Sequence, residues 1–139
     1  MKPPPIILPT GVYVLAFRLL SRGYALLGVL LGTALIAGGP DRFSSRALAT
    51  ARDVPGQQLT WGAIAAAAGA VTVAASVLRL RRLVEAGAMV LIGWHLFFAL
   101  SLGLSAAHDP RAGLTGAVTY TGLAGLGCVL VAALREGSR

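Results

Sequence analysis

AGAMVLIGWHLFFALSLGLSAA, residues 86–107, is a run of 22 residues without a single Lys, Arg, Asp or Glu. As an α-helix rising about 1.5 Å per residue it would be roughly 33 Å long, enough to cross a hydrocarbon layer about 30 Å thick. A helix on the surface of a water-soluble domain needs a polar face, and this run has none. The stretch therefore predicts a transmembrane helix that carries one ionisable side chain, His95, near its middle.

Three other runs lack charged residues and reach the length of a spanning helix; they are residues 23–40, 54–78 and 112–134. The whole chain of 139 residues is 56% hydrophobic and only 12% charged, which is about half the charged fraction of a typical soluble domain. Strand alternation is absent, and lipid requires each backbone polar group to be satisfied within its own element. We therefore predict an all-α fold, an integral membrane four-helix bundle forming one domain over residues 1–139, with spans at about 20–39, 61–79, 84–106 and 111–134. A cleaved signal peptide is the alternative for the first run, but the three later runs favour a retained helix.

The longest polar stretch, residues 40–60, follows the first span. Its middle part combines apolar side chains with Arg46 and Arg52, which predicts a short helix at about 45–53 lying in the interface plane. An ordinary surface loop is the alternative interpretation. Trp61 stands where an aromatic anchor belongs, at the predicted membrane–water boundary.

The basic residues indicate how the chain crosses the membrane. Net charge is +7, but the cations lie in short turns rather than on one solvated face, so nucleic acid is excluded as a partner class. Arg18 and Arg22 share a helix face and can extend to the headgroup layer. One predicted side of the bilayer holds eight basic residues: Lys2, Arg18, Arg22, Arg79, Arg81, Arg82, Arg135 and Arg139. The other side holds four, which are Arg42, Arg46, Arg52 and Arg111, so we predict that both termini are cytoplasmic.

Small residues recur at helical spacing in the second and fourth runs. Such rows let helix backbones approach closely and are typical of packed helix faces in membranes. We predict a helix-packing face formed by Gly62, Ala66, Gly69, Ala70, Ala74, Gly116, Gly122 and Gly125.

The sequence contains no pattern that points to catalysis or to cofactor or metal binding. The predicted spans hold no carboxylate, and neither a Cys/His cluster nor a nucleophile–base pair is recognisable. The single cysteine, Cys128, excludes an intrachain disulfide and is interpreted as a small packing residue. We therefore predict a protein that is not an enzyme and binds no cofactor or metal.

His95 is the only histidine within the four apolar runs. Counting from the helix ends brings Thr119, Tyr120 and Thr121 of the fourth span, and Thr33 of the first, to a similar depth. These residues form a predicted intramembrane polar cluster. An ionisable group inside the membrane suggests a functional site. A neutral imidazole hydrogen-bonded between helices is the alternative, and we favour it because a lone histidine without an acidic partner makes a poor proton relay.

Several stretches carry a resemblance to known proteins. The pattern GTALIAGGPDRFSS at residues 32–45, the Trp61-Gly62 pair and LTGAVTYTGLAG at residues 114–125 resemble small membrane proteins of phages that infect actinobacteria. Some members of that group are holins or holin-like partners of lysis proteins, which implies the inner membrane of a bacterial host. A second resemblance is to the DoxX-like four-helix membrane proteins, which also have a short outer helix after the first span. Residues 18–27 lack the glycine-rich helix start of that family.

These observations leave three functions open. The first is a phage holin or lysis-accessory protein that self-associates in the host membrane and permeabilises or depolarises it. The second is a non-enzymatic accessory or envelope-modifying protein that works with a membrane or lysis partner. The third is a small DoxX-like transporter or redox-linked protein, which would need polar groups along a path.

Overall fold

The structure is a computed structural model that describes residues 10–39, 48, 57–109 and 114–136. This part of the chain is all-helical, as predicted, with four helices: α1 Thr10–Ala37, α2 Gln57–Val77, α3 Arg81–His108 and α4 Thr115–Glu136. Each helix is long and apolar enough to cross a bilayer, so the fold is that of a multi-pass membrane protein. Of the predicted interfacial helix at about 45–53, the structure describes only Leu48, and Arg46 and Arg52 lie outside the described residues.

The helices pack side by side in alternating directions. Gly32 lies against Gly62 and Arg22 against Ser76, so α1 and α2 are antiparallel. The same holds for α3 and α4, where Glu85 pairs with Arg135 and Leu102 contacts Gly116. The start of α1, the α2–α3 turn and the end of α4 therefore share one end of the bundle. We call it the arginine end, after Arg18, Arg22, Arg79, Arg81, Arg82 and Arg135.

Helix α3 is the centre of the bundle. Half of its apolar window is buried, compared with 28% in each of the other three helices. It packs against α2 on one side and α4 on the other, α1 packs chiefly against α2, and α1 and α4 hardly touch. The sequence run that decides the fold is thus also the most enclosed helix of the described structure.

Helices α1 and α2 meet backbone to backbone. A Cβ atom on Gly32 would lie 2.5 Å from the carbonyl oxygen of Gly62 and would also overlap the backbone nitrogen of Ala66. A Cβ atom on Gly69 would lie 2.5 Å from the carbonyl oxygen of Ala25. Because lipid is as apolar as the side chains, this close van der Waals contact is what holds two such helices together.

The arginine end closes with contacts that satisfy helix termini. Arg81 donates a hydrogen bond to the carbonyl of Leu134, a group in the last turn of α4 that has no partner within its own helix. The Glu85 carboxylate pairs with Arg135 and ties α3 to α4. Leu80 N–H bonds the carbonyl of Ala75 at 2.8 Å and closes the α2–α3 turn.

Candidate functional site

His95 lies in a buried group of aromatic side chains at the centre of the bundle. Its side chain is fully enclosed, and Nδ1 lies 3.1 Å from the hydroxyl oxygen of Tyr24 on α1. The Trp94 ring centroid is 5.3 Å and the Tyr120 ring centroid 5.9 Å from the imidazole centroid. Phe98 packs against Trp94 at 4.4 Å. We call these five residues the histidine core; it joins α1, α3 and α4.

The chemistry open to this histidine is limited by its surroundings. Among the described residues, Nε2 has no hydrogen-bond partner, and the hydrogen bond that links the imidazole to another helix is the one between Nδ1 and Tyr24. The described part of the chain also holds no group of three residues that could bind a metal ion. The arrangement therefore fits an interhelical hydrogen bond between α1 and α3 better than a proton relay, which would need a second polar group beyond Nε2.

The structure brings only part of the predicted polar cluster together. Tyr120 contacts the imidazole, but Thr119 and Thr121 are exposed on α4, and each donates to the carbonyl four residues earlier, at 2.9 and 2.8 Å. Thr33 is exposed on α1 and donates to the Val29 carbonyl at 2.9 Å. A threonine hydroxyl in an apolar helix satisfies itself on its own backbone, so these three residues do not reach His95.

The partner that sequence reasoning missed is Tyr24. The first span was predicted to begin at about residue 20, which would leave Tyr24 near the membrane surface. The helix itself begins further out, at Thr10, and both Tyr24 and His95 lie 14 residues from the start of their helices, about 21 Å in each case. Equal depth from the same end of the bundle was the signal that would have paired them.

Trp61 is placed at the beginning of α2, and it packs inward against α3. Its ring stacks on Phe97 at a centroid distance of 4.1 Å, and its backbone carbonyl accepts a hydrogen bond from Trp94 Nε1 at 2.9 Å. The half-buried Leu48 packs against the same cluster. Trp61 thus connects the histidine core to the first turns of α2.

Three of the five residues in the predicted packing face on α2 lie against α1. Gly62, Ala66 and Gly69 contact α1, as described above. Ala70 and Ala74 are exposed. The side of α2 that faces α1 continues from Gly69 to Ser76, seven residues further along the helix. The glycines of α2 are therefore occupied within the chain.

The three glycines of the predicted packing face on α4 have different surroundings. A Cβ atom on Gly116 would lie 2.9 Å from Leu102 Cδ1, so this glycine does pack against α3. Gly122 and Gly125 are exposed, and a Cβ atom on either would meet nothing within 4 Å. Together with Val118 and Val129, exposed by 69% and 65%, they form one stripe that we call the α4 outer face. Cys128, predicted to be a packing residue, is exposed beside it.

The arginines predicted to set the topology all lie at the arginine end, as far as the structure describes them. Arg18, Arg22, Arg79 and Arg82 are exposed, and Arg22 donates from Nε to the Ser76 hydroxyl at 3.2 Å. Arg81 donates a hydrogen bond to the Leu134 carbonyl in the last turn of α4.

Comparison with known proteins finds no matching family model, curated protein or solved structure. What the protein does is therefore inferred from three features of the described residues. They are the histidine core, the α4 outer face and the arginine end.

Proposed function

We propose that this protein is a holin-like membrane protein that associates with copies of itself in the inner membrane of a bacterial host and permeabilises or depolarises that membrane. The observation that carries the proposal is the α4 outer face, where Gly122 and Gly125 are exposed between two valines. A glycine inside a helix costs about 0.5–1 kcal/mol relative to alanine. In a membrane that cost is commonly offset by close contact with another helix, and no described helix of the same chain covers this stripe.

Permeability is proposed to arise between copies of the protein and not within one copy. The centre of a single bundle is filled by Trp94, Phe98 and Tyr120, which pack ring against ring at centroid distances of 4.4 to 5.7 Å. Rings packed at these distances leave little room for an aqueous path at that level. Assembly through α4 would place the water-exposed lesion at the boundary of several bundles. In this arrangement the arginine end faces the cytoplasm, following the positive-inside bias.

Gly125→Leu tests the proposal because it places a bulky side chain in the centre of the α4 outer face. Overpacking of this kind costs about 1–3 kcal/mol, so we expect association roughly fivefold to hundredfold weaker. The measurement is twofold: bismaleimide cross-linking through the native Cys128 beside the stripe, and membrane potential in cells after timed expression. We expect both the cross-linked dimer and the depolarisation to be lost.

Gly93→Leu is the matched control. Gly93 is also exposed with nothing within 4 Å of a built Cβ atom, but on its side of α3 it lies among the large exposed residues Met89, Leu96 and Leu100. These side chains keep another helix at a distance, so we expect Gly93→Leu to cross-link and depolarise like the native protein. Cells that keep a normal potential at high levels of the native protein would refute the holin-like function.

A second candidate is supported by the same exposed stripe. If a transmembrane helix of a different protein covers the α4 outer face, the chain is a non-enzymatic accessory or envelope-modifying subunit. In that case the native protein leaves the potential intact, and Gly125→Leu releases a co-purifying membrane protein instead of abolishing a homodimer.

A DoxX-like transport or redox role would depend on His95, and the same cells test it. Because the imidazole is bonded to Tyr24 and does not line a path, we expect His95→Leu to depolarise as the native protein does. Loss of depolarisation with unchanged cross-linking would instead give His95 a functional role.

A further inference from the structure

A cleft of about 650 Å³ opens at the arginine end, where α1 and α4 hardly touch. Most of its walls are apolar and come from α1, α3 and α4. They are formed by Ala16, Phe17, Leu20, Val84, Ala133 and Leu134. A cleft with this lining suits hydrocarbon and not a fully hydrated solute.

The same cleft is lined by three arginines and by no acidic residue: Arg18, Arg79 and Arg81. Arg81 is already bonded to α4, but the side chains of Arg18 and Arg79 are exposed and make no ion pair with a described residue. The nearest carboxylate on α3, Glu85, is held by Arg135. The lining therefore carries positive charge that the described chain leaves uncompensated.

Arg79 occupies a backbone position that an arginine rarely takes. Its φ is +58°, in the left-handed region, two residues after the end of α2 in the turn to α3. Glycine is the usual residue at this position of a helix end, and a side chain there costs about 1–2 kcal/mol. The bond from Leu80 N–H to the Ala75 carbonyl closes this helix end, and the turn leaves the Arg79 side chain in the lining of the cleft.

We propose that this cleft binds one anionic phospholipid from the surrounding bilayer. The lipid phosphate lies between Arg18 and Arg79, and the first part of an acyl chain lies against Phe17, Leu20 and Val84. Basic pockets between transmembrane helices suit anionic headgroups because charge attraction and apolar contact act on the same molecule. A zwitterionic lipid would satisfy the apolar walls but not the net positive charge, and a free phosphate would satisfy only the charge.

The proposal is tested by native mass spectrometry of the purified protein in a neutral detergent, titrated with phosphatidylglycerol or phosphatidylcholine. We expect one phosphatidylglycerol to bind at least about tenfold more tightly than phosphatidylcholine. Arg18→Gln and Arg79→Gln should each weaken phosphatidylglycerol binding about fivefold, the effect of one cation near an anionic headgroup. Arg82→Gln, at the second residue of α3 and outside the cleft lining, should leave it unchanged.

Two further variants separate lipid binding from folding. Arg79→Gly should weaken lipid binding and yet raise the melting temperature, because glycine relieves the left-handed backbone. Ala133→Trp should fill the cleft and remove lipid binding without changing any charge. Equal binding of the two lipids would overturn the proposal, as would an equal loss in Arg82→Gln or retained binding in Ala133→Trp. Full displacement by glycerol phosphate would also overturn it, since that result would indicate an anion site and not a lipid site.

Discussion

Gly32→Ala is expected to destabilise the bundle by about 1–3 kcal/mol, and Gly32→Leu to prevent α1 from docking on α2 at all. The reason is geometric. The new Cβ atom would lie 2.5 Å from the Gly62 carbonyl oxygen and 2.9 Å from Ala66 Cβ, and the first of these is backbone that cannot rotate away. The two helices would have to separate along their contact and lose the van der Waals energy that membrane helices depend on.

The matched control for this variant is on the same helix. Gly23 is exposed, and a Cβ atom built on it meets nothing within 4 Å. Gly23→Ala should therefore stabilise the protein slightly, by about 0.5–1 kcal/mol, because alanine favours the helix. Both free energies of unfolding can be measured by titrating sodium dodecyl sulfate into mixed micelles and following circular dichroism. A Gly32→Ala protein as stable as Gly23→Ala would contradict the close packing of α1 on α2.

Trp94→Ala is expected to cost about 3 kcal/mol, the lower end of the range for a buried tryptophan, because lipid offers less driving force than water. Trp94 is only 3% exposed and packs against Phe98, while its Nε1 donates to the Trp61 carbonyl. Removing the ring leaves a cavity at the contact of α2 with α3. It also leaves the Trp61 carbonyl without this donor.

Two variants divide that cost between packing and hydrogen bonding. Trp94→Phe keeps most of the ring and loses the indole N–H, so we expect a cost of about 1 kcal/mol. Leu96→Ala removes a side chain that is 44% exposed, and should change the free energy of unfolding by less than about 0.5 kcal/mol. A Leu96→Ala protein destabilised as much as Trp94→Ala would show that α3 faces its neighbours in a different rotation.

The number and type of the helices could be predicted from the sequence because lipid excludes charge over a whole helix length. The four charge-free runs therefore mark the four helices of the described structure. For the first run, charge was taken as the limit of the span, which was predicted to begin at about residue 20. The helix in fact continues outward through Arg22 and Arg18 to Thr10, because a long arginine side chain does not interrupt a helix.

The partners of individual side chains were harder to predict, because they depend on how each helix is rotated and shifted. Thr119 and Tyr120 are neighbours in the sequence, yet one faces outward and the other contacts His95. The same holds for the glycines. Gly62 packs against the backbone of α1, whereas a Cβ atom on Gly122 would contact no other atom of the described chain within 4 Å. Residue type alone does not distinguish a glycine already packed from one that is free to contact a second molecule.

The membrane-spanning bundle can be tested most directly on the only cysteine of the chain, Cys128, which is exposed near the middle of α4. A nitroxide attached to it in dilute phosphatidylglycerol bilayers reports its surroundings through collisions with dissolved oxygen and with a water-soluble nickel chelate. We expect oxygen to relax the label more strongly than nickel, as at a site in hydrocarbon. A label relaxed more strongly by nickel would place α4 in water and contradict the bundle described here.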